Sequence, residues 1–287
     1  MRGVRLVVRS GGATLACLLA CSTASASSPT GDFAGFAQCP RFAQGVELCL
    51  KANIMGGEAK IANMTLPIDR PIVLQGGILV QDGNVETFEG AIDGETLSRA
   101  PIQVAGGLTG LIASKGLSGP LRALYTQSIE LGKTDVTATT ELTATPQVST
   151  QDLEGEYGYG LILPVRIKLS NQLLGEQCYI GSPTKPLVLE LTDGRTSPPG
   201  PNAPIAGKLG RVRFADEYEF VNITGNSLVD NSFPVPGVEG CGGPFSSVLD
   251  RVIDARLGLP SAAGNNTVIF ADDIQEAGVP GVIASEK

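Results

Sequence analysis

Apolar and polar residues alternate over short stretches along most of this chain, and Gly, Pro, Asn and Asp separate one stretch from the next. Val165-Arg166-Ile167-Lys168-Leu169 changes character at every step, and Val136-Thr137-Ala138-Thr139-Thr140 suits the same rhythm. A period of two sends successive side chains to opposite faces of a strand, so these segments predict antiparallel sheets covered on one side. Strands are predicted at 58–67, 71–80, 85–92, 102–105, 135–145, 161–169, 187–192, 208–214, 217–224 and 267–271. Asp82-Gly83, Asp93-Gly94 and Asp193-Gly194 predict tight turns, and hairpins where apolar runs flank them. Thirty-seven glycines and nineteen prolines fit a chain that turns often.

Helical periodicity is scarce. The best stretch is 245–257, which starts behind Pro244 and brings Val248, Val252 and Ile253 near one face. The second is 121–131, after Gly119-Pro120. The fold class expected is mostly β: an antiparallel β-sandwich or barrel-like sheets with one or two short helices. Each helix follows a glycine pair, Gly106-Gly107 or Gly242-Gly243, and precedes a strand. That order suggests an internal duplication, with similar halves at about 33–150 and 157–287. The segment 197–204 carries four prolines and reads as a stiff loop between edge strands in preference to a proline-rich ligand.

Residues 1–26 change the setting. Arg2, Arg5 and Arg9 precede an apolar run from Ala13 to Cys21, and Ala24-Ser25-Ala26 offers small residues where a signal peptidase cuts. This is the layout of a secretory signal, too short to span a membrane, leaving 27–287 as one disulfide-stapled β-rich domain. Leu18-Leu19-Ala20-Cys21 also resembles a bacterial lipobox, so lipidation at Cys21 and anchoring to the outer face of the cytoplasmic membrane is the alternative to a free secreted or cell-surface form.

Export decides how the cysteines read. Cys39, Cys49, Cys178 and Cys241 remain after the leader, an even number that predicts two disulfides. Three pairings exist; Cys39–Cys49 is favoured because the two are close in sequence, and Cys178–Cys241 then follows. Losing the three leader arginines takes the formal net charge from −8 to −11. Such a surface repels phosphate backbones, so no nucleic-acid partner is expected. No later apolar run predicts a transmembrane span.

The chain has no histidine, which removes Ser-His and Cys-His nucleophiles and most zinc, copper and non-haem iron sites. No glycine-rich phosphate cradle joins a strand to a helix, and no cofactor is expected. Carboxylates remain. Asp216-Glu217 with Glu219, and Asp272-Asp273 with Glu276, could serve glycoside hydrolysis, but both read first as solvated strand edges. Asp82, Asn84 and Glu86 could offer oxygens to calcium, but lack the EF-hand pattern, so no metal site is assigned. Gly240-Cys241-Gly242-Gly243 reads as a tight turn beside a bridge.

Phe33 to Pro40, Gln177 to Ser182, Asn226 to Phe233, Pro234 to Gly243 and Leu259 to Gly264 resemble segments of exported proteins from high-GC Gram-positive bacteria. The resemblance implies compartment and shared architecture, and no catalytic residue. The function expected is a non-catalytic binding or structural module, with the cell wall or another protein as partner. Two alternatives stand beside it: a carboxylate-dependent hydrolase of an extracellular polymer, and a lipid-anchored small-molecule-binding protein. Acids from distant positions converging in a cleft, with one of them buried, would favour the hydrolase.

Overall fold

The computed structural model describes residues 27–81, 85–156, 158–215 and 219–287. The leader with Cys21, and Asp82, Asn84, Asp216 and Glu217, lie outside the described residues. Strand accounts for 40% and helix for 21%, so the protein is mostly β. The strands are β1 (Val46–Ile61), β2 (Met64–Pro67), β3 (Ile72–Gln81), β4 (Val85–Gly90), β5 (Ile102–Gln103), β6 (Thr137–Leu142), β7 (Gln147–Val148), β8 (Leu161–Ser170), β9 (Tyr179–Ile180), β10 (Leu187–Leu191), β11 (Arg211–Ala215), β12 (Phe220–Asp230), β13 (Val238–Glu239) and β14 (Thr267–Gly278). The helices are α1 (Gly107–Leu111), α2 (Gly119–Glu130), α3 (Ser246–Leu257) and α4 (Val279–Ala284).

Two antiparallel sheets form, and neither closes into a barrel. The first runs β11-β12-β14-β1-β3-β4 with β2 on β1. The second runs β13-β9-β8-β6-β5, with β10 and β7 also on β8. Leu50, Ile54, Leu74 and Ile78 of the first sheet share one apolar core with Leu163, Val165, Ile167 and Leu169 of the second. A cavity of about 50 Å³ remains between them, lined by Ile54, Leu66, Val165, Leu187 and Phe270. It has room for a few water-sized groups.

The alternation of β8 works as its sequence predicts. Leu161, Leu163, Val165, Ile167 and Leu169 are buried, while Arg166 reaches out to Glu141 on β6, at 2.7 Å, and stacks over Tyr179 at 4.0 Å. In β1 the inward residues are Leu50, Ala52 and Ile54, but Cys49 is buried on the opposite face. There it bonds Cys39, inside a small second core with Phe36, Ala277 and Val282. Phe220 packs edge-on against Phe33 and Phe36 in this core. The second disulfide joins Cys178 to Cys241. The two bridges are typical of extracellular proteins. Among the described residues no helix is long and apolar enough to cross a membrane.

Among the described residues α2 and α3 form where two short helices are expected; the further α-helices α1 and α4, of five and six residues, are too short to show a periodicity. On α3 the buried face is Leu249, Ile253 and Leu257, whereas Val248 is exposed, which rotates the apolar stripe from the one read in the sequence. Its acids point to the preceding turn: Asp250 accepts from the backbone N–H of Gly240 and Cys241, and Asp254 from Val238. The loop at 197–204 is held down by Asn202, whose amide donates to the carbonyls of Asn231 and Asn266.

Some strand pairings recur along the chain with the sheets exchanged, although β4 pairs β3 whereas β11 pairs β12. The β1–β2 and β1–β3 pairs correspond to β8–β9 and β8–β10, and β5–β6, flanking α1 and α2, corresponds to β12–β14, flanking α3. Each half ends by pairing with the other: β6 on β8, and β14 on β1. Both glycine pairs adopt positive φ, at 73° and 50° for Gly106-Gly107 and 80° and 55° for Gly242-Gly243.

Register slips twice along β14, against β1 between Ile54 and Gly56 and against β12 between Ile223 and Asn226. Gly57 follows the first bulge at φ 112°, and a Cβ there would stand 1.9 Å from the carbonyl oxygen of Ile269. Gly57→Ala is therefore expected to lose about 3 kcal/mol of unfolding free energy, read by urea denaturation. A loss below about 1 kcal/mol would show that the β1–β14 seam yields.

Candidate functional site

The inward face of β14 carries Val268, Phe270, Asp272, Ile274 and Glu276 in strict alternation, so two acids occupy positions built for apolar side chains. Asp272 and Glu276 are 3% and 2% exposed, which overturns their reading as a solvated edge. Only Asp273 behaves as expected, pointing outward to accept from the N–H of Gly225 at 2.7 Å.

The two bulges explain how polar neighbours reach Asp272. Its partners are Ile54 on β1 and Asn226 on β12, each adjoining a register shift. In β12, Val221 and Ile223 face inward; the extra residue at Thr224-Gly225 changes the phase, so Asn226 and Leu228 face inward after it. Asp193 reaches the same place from the end of β10, where Thr192 bridges Val229.

Burial pushes the Asp272 carboxyl up to about 7, aided by the charge of Asp273 and, more weakly, that of Asp193. Asn226 lies beside it and favours ionisation, but neither Asn226 side-chain atom completes a hydrogen bond. Asp193 is also raised, first by burial and then by Asp152; its own backbone N–H opposes this without completing a hydrogen bond.

Glu276, four residues on and about 13 Å along the same face, has different company. Burial pushes it up to about 8, and the charges of Glu154 and Glu86 add to this. Glu154 is itself raised by burial and by Glu86. The turn Asp152–Glu156 thus faces both groups, through Asp152 to Asp193 and through Glu154 to Glu276.

Beside Glu86 opens a cleft of about 640 Å³ between β4 and the segment running from β7 towards β8. Val80, Phe88, Val148 and Ile162 give it apolar surface, and Thr145, Gln147, Ser149, Gln151 and Tyr159 give it hydrogen-bonding groups. Tyr159 is 52% exposed. Glu86 lines the cleft with its carboxylate engaged, accepting from the Thr150 N–H at 2.8 Å and from the Thr150 hydroxyl. Acids from distant positions therefore converge, but Glu276 is closed off from solvent and does not line the cleft.

Of the residues singled out in the sequence, the four cysteines meet in two bridges and Glu86 is tied to Thr150. Among the described residues no three His, Cys, Asp or Glu side chains are grouped to hold a metal ion. Sequence reading missed Asp193, Asn226, Glu154 and Tyr159. The chain matches no family model, no curated protein and no solved structure.

Proposed function

We propose that this is an exported, non-catalytic protein that binds a neutral polar polymer of the cell envelope in the cleft between β4 and β7. The observation that supports this reading is the lining: uncharged hydrogen-bonding side chains, an exposed tyrosine, and one carboxylate already occupied by Thr150. Amide and hydroxyl groups suit the hydroxyls and acetamides of a glycan, and a tyrosine ring offers an apolar face with a polar edge. A formal charge of −8 for the whole chain, −11 without the leader arginines, disfavours polyanions and nucleic acid. The two disulfides fit an oxidising compartment.

Sedimentation of the labelled protein with purified wall glycan tests this. Tyr159→Ala is expected to weaken binding about tenfold. Phe214→Ala removes another exposed aromatic ring, outside the cleft, and should leave binding unchanged. Equal binding by Tyr159→Ala and the parent protein would end the assignment of this cleft.

One observation favours a carboxylate-dependent hydrolase instead. Burial, with the charges of Glu154 and Glu86, pushes Glu276 up to about 8, so it holds a proton at neutrality as a general acid does, behind the cleft and not in its lining. Release of soluble fragments from the glycan by the parent protein, abolished in Glu276→Gln, would decide for that reading.

A further inference from the structure

We propose that Asp193, Asn226 and Asp272 form a binding site for a hard divalent cation, calcium before magnesium. All three side chains are buried, with exposures of 6%, 2% and 3%. Five of their polar atoms have no hydrogen-bond partner: both carboxylate oxygens of Asp193, Oδ1 and Nδ2 of Asn226, and Oδ1 of Asp272. Buried polar groups are costly to leave unmatched, and so many at one place point to an occupant.

That occupant is positive. The charges acting on this pair are all negative, Asp152 on Asp193, and Asp273 and Asp193 on Asp272. The ion pairs formed among the described residues, Arg41–Glu286, Arg166–Glu141 and Lys168–Glu176, lie elsewhere. The asparagine separates this site from a mere concentration of acids. The β12 bulge turns it inward opposite Asp272, where an amide oxygen can coordinate a cation while Nδ2 donates to a carboxylate oxygen left over.

The donors also select the ion. Two carboxylates and an amide oxygen are hard oxygen ligands of the kind calcium takes in irregular arrangements completed by water. Zinc prefers imidazole or thiolate, and here histidine is absent and the four described cysteines are bonded in pairs. With two carboxylates, affinity should fall in the range of about 0.1–1 mM. This site is separate from the cleft, so its fate and that of the binding reading are independent.

Calorimetric titration of calcium chloride into the chelator-stripped protein at about pH 8 tests the proposal, with magnesium chloride in parallel. The expected result is saturable calcium uptake and weaker magnesium uptake. Asp193→Asn and Asp272→Asn should each weaken calcium about tenfold, whereas Asp93→Asn, on an exposed turn, should not. Asn226→Asp supplies a third carboxylate and should tighten calcium about fivefold, a gain that a poorly folded variant would not show. No saturable uptake at about 10 mM calcium, uptake unchanged in both Asp→Asn variants, or no gain in Asn226→Asp overturns the assignment.

Discussion

The protein is expected to melt at a higher temperature at pH 5 than at pH 9, and Glu276→Gln is expected to remove a large part of that difference, with Asp272, pushed up to about 7, supplying much of the rest. In the unfolded chain Glu276 releases its proton near 4.5; in the folded protein it does so near 8. Between those values folding requires the carboxyl to keep a proton that water would take. A folded-state value raised in this way gives stability that is fully present below 4.5 and is lost as pH rises through about 8. A displacement of that size corresponds to about 4–5 kcal/mol. Its causes are burial first and the charges of Glu154 and Glu86 second. Glutamine keeps the shape and cannot ionise, so the variant should be the more stable protein above about pH 8. Glu286 acts in the opposite direction. It is held below the usual carboxylate range by Ser27 and Arg41, so its contribution is lost as pH falls through that lowered value. Melting temperatures should therefore be compared from about pH 5 upward, at fixed ionic strength with chelator present. Parallel curves for the parent protein and Glu276→Gln would exclude Glu276 as the source.

Removing the Cys178–Cys241 bridge should be the most costly covalent change. The bonded residues are 63 apart, and closing a loop of that length restricts the unfolded chain by about 4 kcal/mol. The Cys39–Cys49 bridge, with a separation of 10, restricts it by about 3 kcal/mol. The longer bridge also holds the β13–β9 pair, beside the Gly240–Cys241 backbone that Asp250 receives. Urea denaturation of Cys178→Ala/Cys241→Ala and of Cys39→Ala/Cys49→Ala should show both losses, the former larger. The reverse order would mean that the small core around Phe36 depends on its sulfur atoms more than loop length predicts.

Strands such as β3, β4, β8 and β10 were legible because alternation and turn residues agreed. Much of β1 was not, for a physical reason: Cys49 faces a second core behind the sheet, and Gly56-Gly57 looks like punctuation although it is a bulge within a continuous strand. The pairs at β7, β9 and β13 span two residues each, too few to display any period. The acids of β14 were hidden differently. Charge at Asp272-Asp273 reads as the end of a strand, yet the alternation of Val268, Phe270, Asp272, Ile274 and Glu276 continues through it. Extending that rhythm would have placed both acids inside. Nothing in the sequence could have brought Asp193 or Glu154 to them, because that depends on how the second sheet packs over the first.

The interlocking of the halves bears on how the molecule is made. Ribosomes deliver β1 long before β14, and these two lie side by side in the finished sheet. A growing polypeptide therefore carries one long, half-matched edge throughout synthesis, the kind of surface that invites misassociation. Completion of the first sheet must wait for β14, and a ribosome that stalls before it leaves β1 and β12 without their shared neighbour, a ready substrate for chaperones and proteases.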